Sequence, residues 1–394
     1  MKKSVLVAAY VMAGVLFASC NNNKTVYYTP REITCATDAP RYDLHLQPME
    51  LECFGVRDVI AVDSMIVAIT SDKQSLIKVF DYSGNVIARL SPSGRAGNEF
   101  LTVSYCDQNS VIDGDRHLIL KDEDHIYRYN LTGSIRNGAN LKPERLLDLP
   151  PYEKRANGFS ALFRGDGSHF LYSGVTYNEI LIPYEAIEMN PDGSARIKDG
   201  FQLPEIKFYP PLYALVKPDG DTVKYDLYPV LPNFKEDHYA EILYHSTVRM
   251  SDDGNKVVIA DAYQDRMTYI DLVSGDIFGV RCPDFVDYGK YSEREDLMSM
   301  TVEGVYQMVL YSDKIYVLYN HNTVYEEEEE EEEKPLNVTI RVFDWNGQFI
   351  AELVPDARIW SFHIDEKTGI LIATDYDEQF YMADIRELAG KLDK

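Results

Sequence analysis

A stretch of fourteen residues occurs twice in this chain, and it limits the fold more than any other feature. Ile77-Lys-Val-Phe-Asp-Tyr-Ser-Gly-Asn-Val-Ile-Ala-Arg-Leu90 and Ile340-Arg-Val-Phe-Asp-Trp-Asn-Gly-Gln-Phe-Ile-Ala-Glu-Leu353 align without a gap, with the same Ile, Val, Phe, Asp, Gly, Ile, Ala and Leu in place. Each copy is an apolar strand ending in Asp, a tight turn carrying Gly, and a second strand. The Asp carboxylate accepts local backbone N–H groups and Gly supplies the positive φ that closes the turn. Looser copies end in Asn130-Leu-Thr-Gly133, Asn190-Pro-Asp-Gly193 and Asp271-Leu-Val-Ser-Gly275.

A second apolar strand lies upstream of each turn, at Met65–Ser71, His117–Asp122, Lys256–Asp261, Lys314–Asn320 and Gly369–Asp375. Such short apolar runs suit strands buried on both faces. Four strands in a recurring unit of about 40–60 residues is the pattern of a β-propeller blade. The turn glycines at 84, 133, 193, 275 and 347 mark five blades, with insertions at 201–245 and 321–337. A sixth blade starts at Trp360 and stops after Asp384 without a fourth strand. Tyr42-Asp-Leu-His-Leu-Gln47 alternates apolar and polar residues and is expected to supply the missing strand, which would leave no open sheet edge. Counting 201–245 as a degraded blade would make seven. The reading is an all-β, six-bladed propeller over 42–394.

The N-terminus reads as an export signal. Lys2 and Lys3 precede a thirteen-residue apolar run, Val5 to Phe17, too short to span a bilayer core of about 30 Å. Cys20 follows Phe17-Ala18-Ser19 in the manner of a bacterial lipobox, with Phe where Leu is usual. Residues 1–19 are then a signal peptide and 20–41 a lipidated Cys with a flexible tether; acyl chains on one residue anchor without a spanning helix. No acidic surface-export signal follows Cys20, which points to the periplasmic leaflet of the outer membrane.

Cys20, Lys314-Ile-Tyr-Val-Leu-Tyr319, Val342-Phe-Asp-Trp-Asn-Gly347 and Gly94-Arg-Ala-Gly-Asn-Glu-Phe100 make the chain resemble the TolB-like six-bladed β-propeller lipoproteins of Gram-negative gut bacteria. Ala96 and Asn98 depart from the family's Gly-x-Gly-Pro-Gly-Glu-Phe linker. The resemblance spans nearly the whole mature chain but implies no established chemistry, and fold is no warrant for function.

The net charge of −25 and a pI near 4.7 exclude nucleic acid and electrostatic adsorption to anionic lipid, both of which need clustered Lys and Arg. Cys35, Cys53, Cys106 and Cys282 permit three pairings and lack metal-site spacing; buried free thiols are the expectation for most. Gly-x-Ser-x-Gly, His-Glu-x-x-His, a phosphate-binding Gly-rich loop and EF-hand spacing are all missing, and the eight His are dispersed. Asp122-Glu-Asp124 and Asp375-Tyr-Asp377-Glu378 contain oxygen ligands of the type Ca²⁺ uses. However, Asp122, Asp261, Asn320, Ser71 and Asp375 share one repeat position, which argues for a shared turn-capping task.

The composition holds 29 Tyr against 16 Phe and 2 Trp, consistent with strands. Tyr209, Tyr213, Tyr225 and Tyr228 in the 201–245 insertion form the candidate ligand-contact loop, since aromatic anchors dominate interfaces. Asp63-Ser-Met65 and Asp221-Thr-Val223 resemble the acceptor triplet of bacterial O-glycosylation. The chain therefore reads as a lipid-anchored, non-enzymatic binding or scaffolding module for a protein or glycan partner. The alternative is a periplasmic metal-dependent hydrolase or lactonase with a site in the central channel. Glu326 to Glu333 repel one another and should form a solvated loop. Replacing them with Gly/Ser is expected to leave the melting temperature within a few degrees, as calorimetry would show; a large fall would place the tract in the folded structure.

Overall fold

Six sheets of four blade strands follow one another around a ring, and the N-terminal segment pairs along the outside of four of them. The computed structural model describes residues 24–27, 31–35, 39–149, 159–173, 176–177, 187–189, 195–197, 208–209, 212–227, 246–285, 302–323 and 338–392. Four short strands come first: β1 (Lys24–Tyr27), β2 (Glu32–Thr34), β3 (Arg41–Leu44) and β4 (Gln47–Met49). Blade 1 comprises β5 (Val56–Val62), β6 (Met65–Thr70), β7 (Ile77–Asp81) and β8 (Val86–Leu90). Blade 2 comprises β9 (Ser104–Ile112), β10 (Asp115–Lys121), β11 (His125–Asn130) and β12 (Glu144–Asp148), with helix α1 (Leu131–Asn137) ahead of β12.

Blade 3 starts with β13 (Ser160–Phe163) and β14 (His169–Ser173). The strands β15 (Thr176–Tyr177), β16 (Ile187–Met189), β17 (Ala195–Ile197) and β18 (Phe208–Tyr209) pair only among themselves. Blade 3 then resumes with β19 (Leu212–Val216) and β20 (Thr222–Asp226). Blade 4 holds β21 (Ser246–Met250), β22 (Lys256–Asp261), β23 (Arg266–Asp271) and β24 (Ile277–Arg281). Blade 5 holds β25 (Val302–Tyr311), β26 (Lys314–Thr323), β27 (Val338–Phe343) and β28 (Phe349–Pro355). In blade 6, β29 (Ile359–Ile364), β30 (Ile370–Asp375) and β31 (Phe380–Asp384) are joined by β4, and helix α2 (Arg386–Leu392) follows.

The middle strands are apolar because blades pack face to face. A buried cluster fills each junction: Val79 with Leu118 and Tyr129 between blades 1 and 2, Ile126 with Ala161 between 2 and 3, and Phe170 with Ile259 between 3 and 4. The ring continues through Met267 with Phe343, Ile340 with Phe362, and Ile372 and Phe380 with Phe80. The repeated turn behaves as its residues require. Asp81 Oδ1 accepts Ser83 N and Asn85 N at 2.9 Å, and Asp344 Oδ1 accepts Asn346 N at 2.9 Å and Gln348 N at 2.8 Å. Gly347 has φ +79°, and a Cβ there would lie 2.4 Å from Val280 Cγ2, so the blade 5 turn docks on blade 4 only as glycine.

Closure uses more of the N-terminus than one strand. The outer strands of blades 3, 4 and 5 each gain a parallel fifth strand, β1 on β20, β2 on β24 and β3 on β28. The strand that completes blade 6 is Gln47–Met49, antiparallel to β31, whereas Tyr42–Leu44 belong to the rim of blade 5. The expected tether over 20–41 therefore contains two strands, β1 and β2. Three- and four-residue strands bury so little that no hydrophobic period announces them.

Two further expectations are corrected. Segment 201–245 is no insertion as a whole, because β19 and β20 are the third and fourth strands of blade 3; the described strands β15 to β18 pair outside the blade. That assignment leaves no seventh blade among the described residues of 201–245. Asn190–Gly193 lie outside the described residues, between two strands that pair outside any blade. Asn130-Leu-Thr-Gly133 opens α1 rather than a hairpin, with Asn130 Oδ1 accepting Gly133 N at 2.7 Å. An Asn that accepts a nearby N–H serves a helix start as well as a turn, so the local signal could not separate the two. The Glu326–Glu333 tract lies outside the described residues, between β26 and β27.

Blades 4 and 5 are also joined by charge. Arg341, on β27 and buried, donates to Asp265 Oδ1 and Oδ2 at 2.8 and 3.0 Å and to Asp284 Oδ2 at 2.8 Å. Its guanidinium lies 3.5 Å from the centre of the Tyr319 ring. Arg341→Ala would strand the buried Asp265 carboxylate and is expected to cost about 3–5 kcal/mol in denaturant unfolding.

Candidate functional site

The first strand of every blade lines the central channel, so side chains there are placed by six separate strands. Several of these side chains are ionisable: Asp58 in β5, Asp107 in β9, Arg249 in β21 and His363 in β29. A cavity of about 400 Å³ occupies the channel end where first strands turn into second strands, lined by Tyr105, Asp107, Arg116, Phe163, Arg249 and Glu366 among others.

A backbone irregularity aims the central acid. The pairing of β9 with β10 slips between Leu118 and Leu120, and Asp107, opposite that slip, has φ +52°. A bulge of this kind redirects a side chain, and left-handed backbone at a non-glycine residue is strained. Asp107 Oδ1 receives Arg249 Nη2 at 2.9 Å, while Arg249 Nη1 donates to Val248 O at 2.9 Å. Arg249 is only 5% exposed. Burial pushes Asp107 up, and the Arg249 charge opposes that shift.

The other guanidiniums are equally committed. Arg116 donates Nε and Nη2 to Asp63 at 2.8 and 3.0 Å, and Arg164 pairs with Asp166 at 3.1 Å. Two acids in the wall are not neutralised in this way. Burial raises Glu366, and the Asp252 charge adds to it; burial likewise raises Asp252, with Asp313 contributing. His363 is pushed down to about 4 by burial and then by Arg249, so it is neutral near pH 7.

Side chains of the inner strands also stitch adjacent blades together. Asp58 Oδ2 accepts Tyr105 N at 3.2 Å, Gln108 Oε1 accepts Phe163 N at 2.8 Å, and Gln307 Oε1 accepts Phe362 N at 2.7 Å. These bonds satisfy backbone groups where inner strands splay apart. Asp58 also lines a smaller pocket of about 150 Å³ at the opposite end of the channel. There Trp360 and Tyr376 are 46% and 51% exposed, with ring centres 5.1 Å apart, and Arg358 stands 5.2 Å over Tyr376.

Two of the four tyrosines singled out from sequence, Tyr213 and Tyr225, are placed differently from the expectation. Tyr213 and Tyr225 are buried in the junction of blades 3 and 4 against Phe170, with ring centres 6.5 and 5.9 Å from it. They fill the core and present no ring to a ligand, because their strands belong to the blade. Tyr209 lies in β18, paired with Thr176, and Tyr228 lies outside the described residues, as does Cys20. The shared repeat position caps turns: Asp122 Oδ1 accepts Asp124 N and His125 N at 2.8 and 2.7 Å, and Asp375 Oδ1 accepts Asp377 N and Gln379 N at 2.9 Å. Among the described residues no group of three or more His, Cys, Asp or Glu is placed to hold a metal ion. The channel residues escaped the sequence reading, because single ionisable residues on four separate strands carry no shared motif.

Burial, reinforced by the Asp107 charge, pushes Asp58 up to about 6. A raised carboxyl pKa means the folded state holds the proton more tightly than the unfolded chain, where Asp titrates near about 3.9. Its contribution is complete below that value and is lost as pH rises through about 6. Asp58→Asn keeps an acceptor for Tyr105 N and removes the charge. It is expected to melt roughly 2–4 °C above the parent at pH 8, with the difference vanishing near pH 4 in paired thermal scans.

The model of a family described as TolB-like 6-blade propeller-like matches residues 222–367. No curated protein matches the chain. Among solved structures, a member of the duf4221 family from Bacteroides vulgatus is similar at 10% identity and a TM-score of 0.49, covering 87% of this chain and 96% of that one. An inferred exported protein of Bacteroides fragilis is similar at 13% identity and 0.46, covering 92% of each chain. A luciferin-regenerating enzyme is similar at 10% and 0.42, covering 84% and 91%. None of these likenesses bears on activity. With six four-stranded blades and closure by its own N-terminal strand, the chain is a six-bladed β-propeller, similar over residues 222–367 to the TolB-like 6-blade propeller-like family.

Proposed function

We propose that this propeller is a non-enzymatic binding module of the cell envelope that takes a hydroxyl-rich ligand, a glycan, in the channel cavity. The observation that carries the reading is the wall of that cavity. Its guanidiniums are each held by a carboxylate of the protein, so no net positive charge is left to select an anion. Fixed donors on Arg116 and Arg249 stand with acceptors on Asp252 and Glu366 and with the Tyr105 and Phe163 side chains. Mixed donors and acceptors beside aromatic rings suit a neutral polyol. The cavity lies within the roughly 300–1,000 Å³ range of small-molecule sites.

Anchoring belongs to the same proposal. With Cys20 lipidated, only Asn21, Asn22 and Asn23 separate the lipid from β1. Three extended residues reach about 10–15 Å, so the rim of blade 3 would be held close to the outer membrane, on its periplasmic side. Cys20→Ala is expected to shift the protein from the membrane to the soluble periplasmic fraction.

Ligand selection is tested with the purified mature protein on a glycan array, followed by calorimetric titration. Binding of at least one neutral glycan is expected, weakened at least tenfold in Asp252→Asn/Glu366→Gln at unchanged melting temperature. An array without any hit, or a hit indifferent to both substitutions, would reject the cavity reading. One observation favours the hydrolase alternative: Asp58, raised to about 6, lines the smaller pocket at the opposite end of the channel, where it could transfer a proton to a ligand bound in that pocket. Release of products from a bound glycan, abolished in Asp58→Asn, would establish that alternative and end the non-enzymatic one.

A further inference from the structure

The belt strand β2 runs parallel to β24 with Thr34 opposite Arg281. One step further along both strands stand Cys35 and Cys282, and Cys35 N donates to Arg281 O at 2.9 Å, so the parallel register continues to this pair. Neighbouring strands are about 4.8 Å apart, inside the roughly 4.4–6.8 Å Cα separation that a disulfide bridges. Both side chains are buried in the same blade 4–5 cluster, at 6% and 5% exposure, as free thiols. Cys53 packs at the blade 6–1 junction and Cys106 at the blade 2–3 junction. Of the three pairings the four cysteines allow, the one that joins Cys35 to Cys282 contains a bond that matches a strand register.

We propose that Cys35 and Cys282 form a disulfide that clasps the N-terminal belt to blade 4. Its formation in the cell rests on the exported location proposed above; its geometry does not. The thiolate of one of the two cysteines attacks a disulfide of an exported thiol oxidase, expelling one of its sulfurs as thiolate and leaving a mixed disulfide. The other cysteine loses its proton and displaces the second sulfur. One protein S–S bond forms as two thiols are oxidised, and the oxidase disulfide takes up the two electrons and both protons. The burial of both sulfurs places this reaction during folding, before the strands of blade 5 cover the pair.

The clasp has a mechanical purpose. An anchor at Cys20 would pull on β1 and β2, which are held at an outer edge by a few backbone bonds each. A covalent bond at Cys35 would stop peeling before it reached β3 and the closing strand β4.

The test maps peptides under non-reducing conditions from full-length protein recovered from the envelope, and from protein refolded with oxidised glutathione. Trypsin would release Glu32–Arg41 joined to Cys282–Lys290, lighter by two hydrogens than the free peptides. Reductant is expected to lower the melting temperature by roughly 5 °C, and Cys35→Ser/Cys282→Ser to abolish that sensitivity. Cys53→Ser/Cys106→Ser should keep it. Free alkylatable thiols at both positions after oxidative refolding would overturn the geometry. A bond that forms on refolding but is missing from cell-recovered protein would overturn export and the clasp in the cell together, leaving the geometry standing.

Discussion

The pairing of Gln47–Met49 with Phe380–Met382 is the interaction on which the ring depends. Without it blade 6 has three strands and an open edge, and the contact of Ile372 and Phe380 with Phe80 of blade 1 has no outer support. An exposed edge strand templates association with other chains, so closure also removes a hazard. Closure here is reinforced by a belt, because β1, β2 and β3 extend the outer edges of three preceding blades before β4 enters the last one. Ion pairs fix the belt locally: Arg41 meets Glu352 at 2.9 Å, and Glu32 pairs with Arg266 and Arg281.

Closure sets the geometry of the channel. Once six inner strands are held in a ring, their few polar side chains converge on a small volume from which much of the water is excluded. The consequence is visible in the electrostatics, where Asp58, Asp107, Asp252 and Glu366 are raised chiefly by burial and His363 is lowered by it. Arg249 tempers Asp107, and Arg116 is neutralised by Asp63. The cavity wall is therefore polar, with its arginines paired and two acids, Asp252 and Glu366, in excess, which disfavours anions.

Much of the architecture was legible because blades repeat. The Asp–Gly turns at Asp81–Gly84 and Asp344–Gly347 and the apolar middle strands obey local rules, turn chemistry and two-sided burial, which operate within a dozen residues. The same locality explains the misreadings. A Gly turn at Pro218–Asp221 looks the same whether it joins two strands of a blade or two of an insertion, so blade 3 was divided wrongly. Tyr213 and Tyr225 looked like loop residues because that segment was mistaken for an insertion. The channel site was barely legible, since Asp58, Asp107, Arg249 and His363 are scattered singly over three hundred residues of chain.

By itself, the sequence determined the class of fold and the turn chemistry and narrowed the blades to six or seven, because each follows from short-range patterns of polarity and backbone freedom. It also determined that one strand must come from the N-terminus, since the last repeat stops short. Only the tertiary structure decided which N-terminal residues close the ring, that the supposed tether is a belt, and that Cys35 stands beside Cys282. Those facts depend on pairings between residues hundreds of positions apart, and no local signal records them. The tertiary structure likewise decided where the channel cavity lies, because a wall built from single side chains on separate blades exists only once the ring has closed.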